Sequence, residues 1–353
     1  MKIGRLTKSA VSLAIVGGIL TACAAPAAPA APAPQTEAPG AGTQAEAPAP
    51  QDVTVWRYGH AANYDNPWHL SAVYFADLVE EMSGGRLVIE IFPNNTLGGE
   101  MDLLNGIQLG TADMTNTAGS FEVFAPTAAL LEAPWAFRDE EHFKMMIDGE
   151  IGQSIMQDFR AANFVPLFHN MRTPRMLTSN FPVTHPSDMV GERLRLPNVP
   201  LQMQMWAATG ASPQSVALAE TFMALSQGVV TMQENPFDLI YNNSFFEVQQ
   251  YANLTEHVLS AIIVVVGADQ FYALPADLQD IVMEAAAQAQ IRADELYFQY
   301  RDHFRDRLIE NGMTMNADVD RDAFRAVMLP AIQEFLEDRG LWDIYEEIVA
   351  LGN

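Results

Sequence analysis

Residues 53–117 alternate short β-branched and aromatic runs with amphipathic stretches, and that alternation confines the chain to an α/β architecture. VTVWRYG (53–59) reads as a strand, and HLSAVYFADLVEEMSGG (69–85) as a helix ended by Gly84 and Gly85. RLVIEIFP (86–93) is a second strand, and residues 94–115 give a turn, a helix and the start of a third strand. The order β-α-β-α-β builds a sheet whose ligands sit beyond the carboxyl ends of its strands. His60, Asn63, Asn116 and Ser120 fall at such ends, although each alone is an ordinary polar loop residue.

Ahead of this body lie two segments that cannot contribute to a core. Residues 1–22 carry Lys2, Arg5 and Lys8, an apolar run and then Leu20-Thr21-Ala22-Cys23, the pattern of a secretory signal peptide with a lipobox-like end. Cys23 would then be lipidated and become the first residue of the mature chain. Residues 23–51 continue as an Ala/Pro-rich stretch with no aliphatic side chain larger than alanine, read as an extended tether. Structure is expected from residue 52 onward.

Charge and cysteine usage narrow the function. The net charge is −25, and removing the three basic residues of 1–22 takes it to −28. Such acidity argues against nucleic acid and against adsorption to anionic lipid. The single cysteine excludes a disulfide framework and a thiol nucleophile inside the folded body. Against this field, Arg172, Arg175, Arg193 and Arg195, four of sixteen arginines, lie within residues 172–198. Capture of an anion would account for such clustering, because a guanidinium offers paired donors to a carboxylate. Of Arg193 and Arg195 on the strand ERLRLP (192–197), Arg193 is expected on the surface. Arg172 is expected there too. Trp206, Met203 and Met205 read as helix core, and Trp68 and Phe237 flank cleft loops where a packed aromatic is the commoner outcome.

A second α/β unit is expected in residues 173–260, with a cleft between the two. Residues 277–311 contain no Gly or Pro and would make either two helices with a bend or one strut on the order of 50 Å long. Residues 320–351 read as two further helices.

In order along the chain, Phe92-Pro93 with Leu97-Gly98, LNGIQLGTADM (104–114), APWAFRD (133–139) and RMLTSNFPV (175–183) resemble the substrate-binding proteins of TRAP transporters, the DctP family. GERLRLPN (191–198), TFMALSQGVVTMQENP (221–236), FFEVQQYANLTEH (245–257) and LPADLQ (274–279) extend the likeness over 52–353. The resemblance implies a two-lobed α/β periplasmic-binding-protein-like fold with a long helix bridging both lobes. It places one lobe in 52–172 plus 261–300 and the other in 173–260 plus 301–353. It further implies an extracytoplasmic receptor for a small organic acid, with small and large TRAP membrane subunits as partners and no cofactor or metal.

The family's carboxylate-binding arginine maps onto Arg195, a second arginine onto Arg175 and the family asparagine onto Asn235. Glu234 and His257 match positions that brace the second arginine at the lobe interface. With His60, Asn63, Asn116 and Phe237 these make up the expected ligand site. Thr231-Met232 stand where the family often has Asp-Gly. Ala61 stands where sialic-acid binders carry an asparagine, which disfavours a nonulosonic acid and favours a smaller carboxylate with an apolar or hydroxylated tail. A binding lipoprotein serving an ABC transporter or a sensor would share lobes and cleft. An enzyme is disfavoured by the absence of HExxH, Walker, G-x-S-x-G and GxGxxG motifs.

Overall fold

The computed structural model describes residues 53–352, so Cys23 and the tether lie outside the described residues. The strands are β1 (Thr54–Gly59), β2 (Leu87–Phe92), β3 (Met114–Thr117), β4 (Phe164–Met171), β5 (Met176–Ser179), β6 (Arg193–Leu196), β7 (Ser212–Ser215), β8 (Met232–Asn235), β9 (Tyr251–Asn253), β10 (Ala261–Gly267) and β11 (Thr314–Asn316). They form two sheets, one lobe around each. The first has the order β2-β1-β3-β10-β4 and the second β11-β9-β5-β8-β6-β7. β1 pairs in parallel with both β2 and β3, as alternation with helices requires, whereas β10 enters antiparallel between β3 and β4. The chain crosses between the sheets after β4, after β9 and again after β10.

Local chemistry sets the helix that follows β1. Asn66 accepts the Trp68 N–H at 2.9 Å as N-cap, Pro67 occupies the first turn, and Gly84 at φ 64° closes Pro67–Ser83. Its buried face, including Ala72, Phe75, Ala76 and Val79, packs with Leu278, Val282, Ala285 and Ala289 of the helix Ala276–Tyr300. The small alanines let the two helices approach closely.

The Gly- and Pro-free stretch is two helices. Ala276–Tyr300 spans about 38 Å at 1.5 Å per residue, then the chain turns at Arg301-Asp302 and resumes as His303–Glu310. The first helix belongs to the first lobe's core through Leu278 to Ala293. Phe304 and Leu308 of the second belong to the core with Phe237, Ile240 and Phe245 in the other lobe. The pair therefore bridges both lobes as a bent strut. The last helices, Arg321–Glu337 and Trp342–Ala350, close the body, and Tyr345 donates its hydroxyl to the Pro134 carbonyl at 2.9 Å. No helix among the described residues is long and apolar enough to cross a membrane.

Candidate functional site

A cavity of about 90 Å³ opens between the two sheets, and its wall holds Arg172, Arg175 and Arg195 together. A larger cavity of about 430 Å³ lies elsewhere, but Glu140, Glu141 and Asp294 outnumber Lys144 on its wall, an unfavourable setting for an anion.

β6 brings in Arg195. Arg193, at the start of the strand, is exposed, whereas Arg195 is buried to 2% exposure. Arg193 turns back on its own lobe, donating to the Val229 and Gly228 carbonyls at 2.9 and 2.8 Å. The Arg195 Nε donates to the Val216 carbonyl at 2.9 Å, which aims the guanidinium. Its terminal nitrogens have no carboxylate partner among the described residues. Burial pushes Arg195 down to about 10, with Glu234 pulling it up and Arg175 pushing it down, so it remains charged near neutrality.

The other two arginines already have carboxylates. Arg175 stands just ahead of β5 and is gripped by the Glu234 carboxylate through Nε and through Nη2 at 2.7 Å. Nη2 also reaches the Glu234 carbonyl at 3.1 Å and Asn235 Oδ1 at 3.2 Å. His257 Nε2 lies 3.1 Å from Glu234 and His257 Nδ1 2.9 Å from the Thr255 hydroxyl. These partners assign Nε2–H donating to the carboxylate and Nδ1 accepting. Trp206, fully buried, stands edge-on to the His257 ring at 5.0 Å between centroids. Asn235 donates to Gln233 Oε1 at 2.6 Å and keeps a second amide hydrogen at the cavity wall.

Arg172 is a correction to the surface position expected of it. It is buried, lines the cavity, pairs with Glu132 and donates to Ser260 Oγ at 2.6 Å, with its guanidinium 5.9 Å from the Trp68 ring centroid. The cause is topological: β4 ends at Met171, and the next residue is carried into the gap between the sheets with its N–H on the Ser260 carbonyl at 3.0 Å. Glu132 is admitted by Gly119, whose N–H it accepts at 3.1 Å, and a Cβ there would come to 2.5 Å from its Oε2. Trp68, read as a packed aromatic, is buried and also lines the cavity.

The first lobe supplies the facing wall. Tyr58 donates its hydroxyl to Asn116 Oδ1, leaving the buried Asn116 Nδ2 without a partner beside the cavity. His60 lines the cavity, yet its Nδ1 accepts from the Ala62 N–H at 3.2 Å and its Nε2 lies 3.3 Å from His69 Nδ1. Burial, with His69 adding to it, pushes His60 down to about 3, so the ring is neutral. Glu100, Ser120 and Thr115 complete this side. Sequence reasoning passed over Glu100 and Glu132, whose only signal would be an acidic residue at a helix start and inside the apolar stretch 130–137.

Two expected contacts lie outside the cavity. Asn63 donates to the Asn242 carbonyl at 3.3 Å, and Asn66 donates to Asp238 at 3.0 Å. Both bonds strap the loop after β1 onto the helix Phe237–Asn242 of the other lobe. Phe237 is core, 6% exposed among Ile240, Phe245 and Phe304.

The two-lobed architecture agrees with the comparisons. The family model for bacterial extracellular solute-binding proteins, family 7 (DctP), matches residues 58–338. The chain belongs to that family. A solute-binding protein of Roseobacter denitrificans is 43% identical over 283 residues, covering 80% of this chain and 86% of the relative. A crystal structure of the Roseobacter protein, a TRAP periplasmic solute-binding protein with bound L-galactonate, matches with a TM-score of 0.80 at 40% identity over 84% of this chain and 99% of that one. A Polaromonas TRAP periplasmic solute-binding protein bound to D-erythronate matches with a TM-score of 0.80 at 29% identity, covering 85% and 99%. The 2,3-diketo-L-gulonate-binding periplasmic protein of Escherichia coli is 29% identical over 270 residues, 76% of this chain and 82% of the relative. This family 7 member is thus a solute receptor for transport, and its family is one of receptors rather than enzymes.

Proposed function

We propose that this receptor captures a hydroxylated organic acid bearing one carboxylate and hands it to the membrane subunits of a TRAP transporter. The observation that carries the reading is Arg195, a buried guanidinium on the cavity wall with no carboxylate partner among the described residues, while Arg172 and Arg175 are paired. An isolated buried charge is costly, and a ligand carboxylate would offset that cost. Asn235, beside Arg175, offers a further donor to the same carboxylate. Across the cavity, Asn116 Nδ2, Ser120 and Thr115 suit hydroxyl groups rather than a second carboxylate. The ligands of the relatives, L-galactonate and D-erythronate, share that chemistry.

Thermal-shift measurements on the 52–353 body test this. L-Galactonate, D-erythronate, succinate and neutral galactose are compared at equal concentration. A ligand that binds only the folded state stabilises by RT ln(1 + [L]/Kd), about 2.7 kcal/mol at a hundredfold excess over Kd. The hydroxylated monocarboxylates are expected to raise the melting temperature and galactose to leave it unchanged. Stabilisation by galactose alone would overturn the assignment.

Two finer points belong to the same proposal. The lobes divide at 52–172 plus 261–300 and 173–260 plus 301–353, with Glu234 and His257 bracing Arg175 at their interface. The mature chain is held at the outer face of the membrane by lipid on Cys23, which lies outside the described residues. Cys23→Ser expressed in a bacterial host is expected to move the protein from the membrane fraction to the soluble exported fraction. An unchanged distribution would refute anchoring.

A further inference from the structure

Glu100 opens the helix Glu100–Gln108 and lines the same cavity as Arg195. Its Oε1 accepts the Thr117 hydroxyl at 2.7 Å, and Ser120 and the Ala118 backbone also hydrogen-bond to it. Among the described residues no ion pair holds it. Arg172, whose charge acts on it, pairs with Glu132, and Arg175 pairs with Glu234. The charged groups that share the cavity wall with Glu100 are Arg172 from the end of β4, Arg175 ahead of β5, Arg195 from β6 and Glu132, and of these Arg172 acts on it directly. His60, from the loop after β1, is neutral. The neighbouring β3 presents Thr117, and β10 contributes apolar Ile263 and Val265. Asp238 acts on Arg172 from outside the cavity lining.

Charge balance then couples two events. With Glu100 ionised, the three guanidinium groups meet the two carboxylates that pair with them, Glu132 and Glu234, and a third on the cavity wall, Glu100, so no net positive charge is left for a ligand. With Glu100 neutral, one positive charge remains, that of Arg195, and it matches one incoming carboxylate. Closing a low-dielectric cleft over a net charge is expensive, so the balanced combination wins. We propose that Glu100 takes up a proton as the organic acid binds, so that the site captures a carboxylate and a proton together. This rests on the reading of the cavity as a carboxylate receptor. Burial already raises the Glu100 carboxyl above its usual range in the same direction, and the neutral carboxyl gains an O–H that can donate to a ligand hydroxyl.

Calorimetric titration with L-galactonate and with D-erythronate, in phosphate and in Tris, reads the protons exchanged from the difference in apparent heat. Wild-type protein is expected to take up close to one proton per ligand wherever Glu100 is ionised in the ligand-free protein, with affinity falling as pH rises through that range. Glu100→Gln is expected to bind without proton uptake and without that slope, and Asp238→Asn to keep both. Binding by wild type with no uptake anywhere from about pH 5.5 to pH 9 would overturn the proposal and leave the carboxylate site standing. Uptake that persists in Glu100→Gln, or vanishes in Asp238→Asn, would overturn it equally. Failure of both acids to bind at any pH would remove the carboxylate reading and this one with it.

Discussion

Arg195→Ala is expected to weaken capture of L-galactonate by at least ~2 kcal/mol, about thirtyfold or more in Kd, because truncating one partner of a buried charge pair typically costs 2–5 kcal/mol. The effect should fall on binding and spare the fold. The wild-type guanidinium is 2% exposed and, among the described residues, is anchored by its Nε to the Val216 carbonyl, so its removal breaks no ion pair. Loss of a buried unpaired charge should leave the melting temperature of the ligand-free protein unchanged or raised. That split distinguishes a ligand residue from a structural one. Arg195→Lys keeps the charge but not the paired donors, and is expected to lie between wild type and Ala. Calorimetric titration alongside thermal melts decides: wild-type affinity in Arg195→Ala would refute the assignment, and so would weak binding accompanied by a matching collapse in stability.

The same contrast explains what was legible in the sequence. Arg193 was expected outside and Arg195 inside, and they lie so, although side chains two apart share a face of the pleat: Arg193 opens β6 and turns back on its own lobe, while Arg195, further along, reaches the cavity wall. Gly84 and Gly85 marked the end of Pro67–Ser83, whereas its start, at Pro67 behind the Asn66 cap, lies two residues ahead of the expected His69. Arg172 was misplaced because nothing local marks a residue that a strand end delivers into an interlobe gap. Its partner Glu132 is 40 positions away, and burial of an ion pair is a property of the assembled site. His60 was legible as a cavity residue, yet His69, nine positions on, ties up its Nε2. The turn at Arg301-Asp302 follows the same rule. No Gly or Pro announces it, and Phe304 and Leu308 bury beyond it in the second lobe's core. Asn63 and Phe237 were expected as ligand contacts, but neither lines the cavity: one ties the lobes together and the other fills a core.

Arg175→Ala should show the opposite pattern, a large loss of stability. It would leave the fully buried Glu234 carboxylate without its guanidinium, and breaking a buried pair from one side costs about 3–5 kcal/mol. At about 2–4 °C per kcal/mol for a body of this order of size, the melting temperature should fall by roughly 6 °C or more. Replacing both partners with apolar residues, Arg175→Met with Glu234→Leu, should recover part of the loss, because neither charge is then stranded. The pH dependence follows from the same contacts. Burial raises the Glu234 carboxyl, but Arg175 and His257 outweigh it and hold the group down at about 2. A depressed carboxyl contributes stability that is complete above its unfolded value near 4.5 and is lost as pH falls toward 2. His257 is lowered from 6.5 by burial, against the pull of Glu234, so the unfolded chain binds its proton first and stability begins to decline below pH 6.5. Wild type should therefore lose stability on acidification in two stages, the upper one removed by His257→Gln and the lower one by the double Arg175→Met, Glu234→Leu variant. Chemical denaturation across that range reads both. An acid profile unaltered by either change would mean that the Arg175–Glu234–His257 cluster does not carry the pH dependence argued for it.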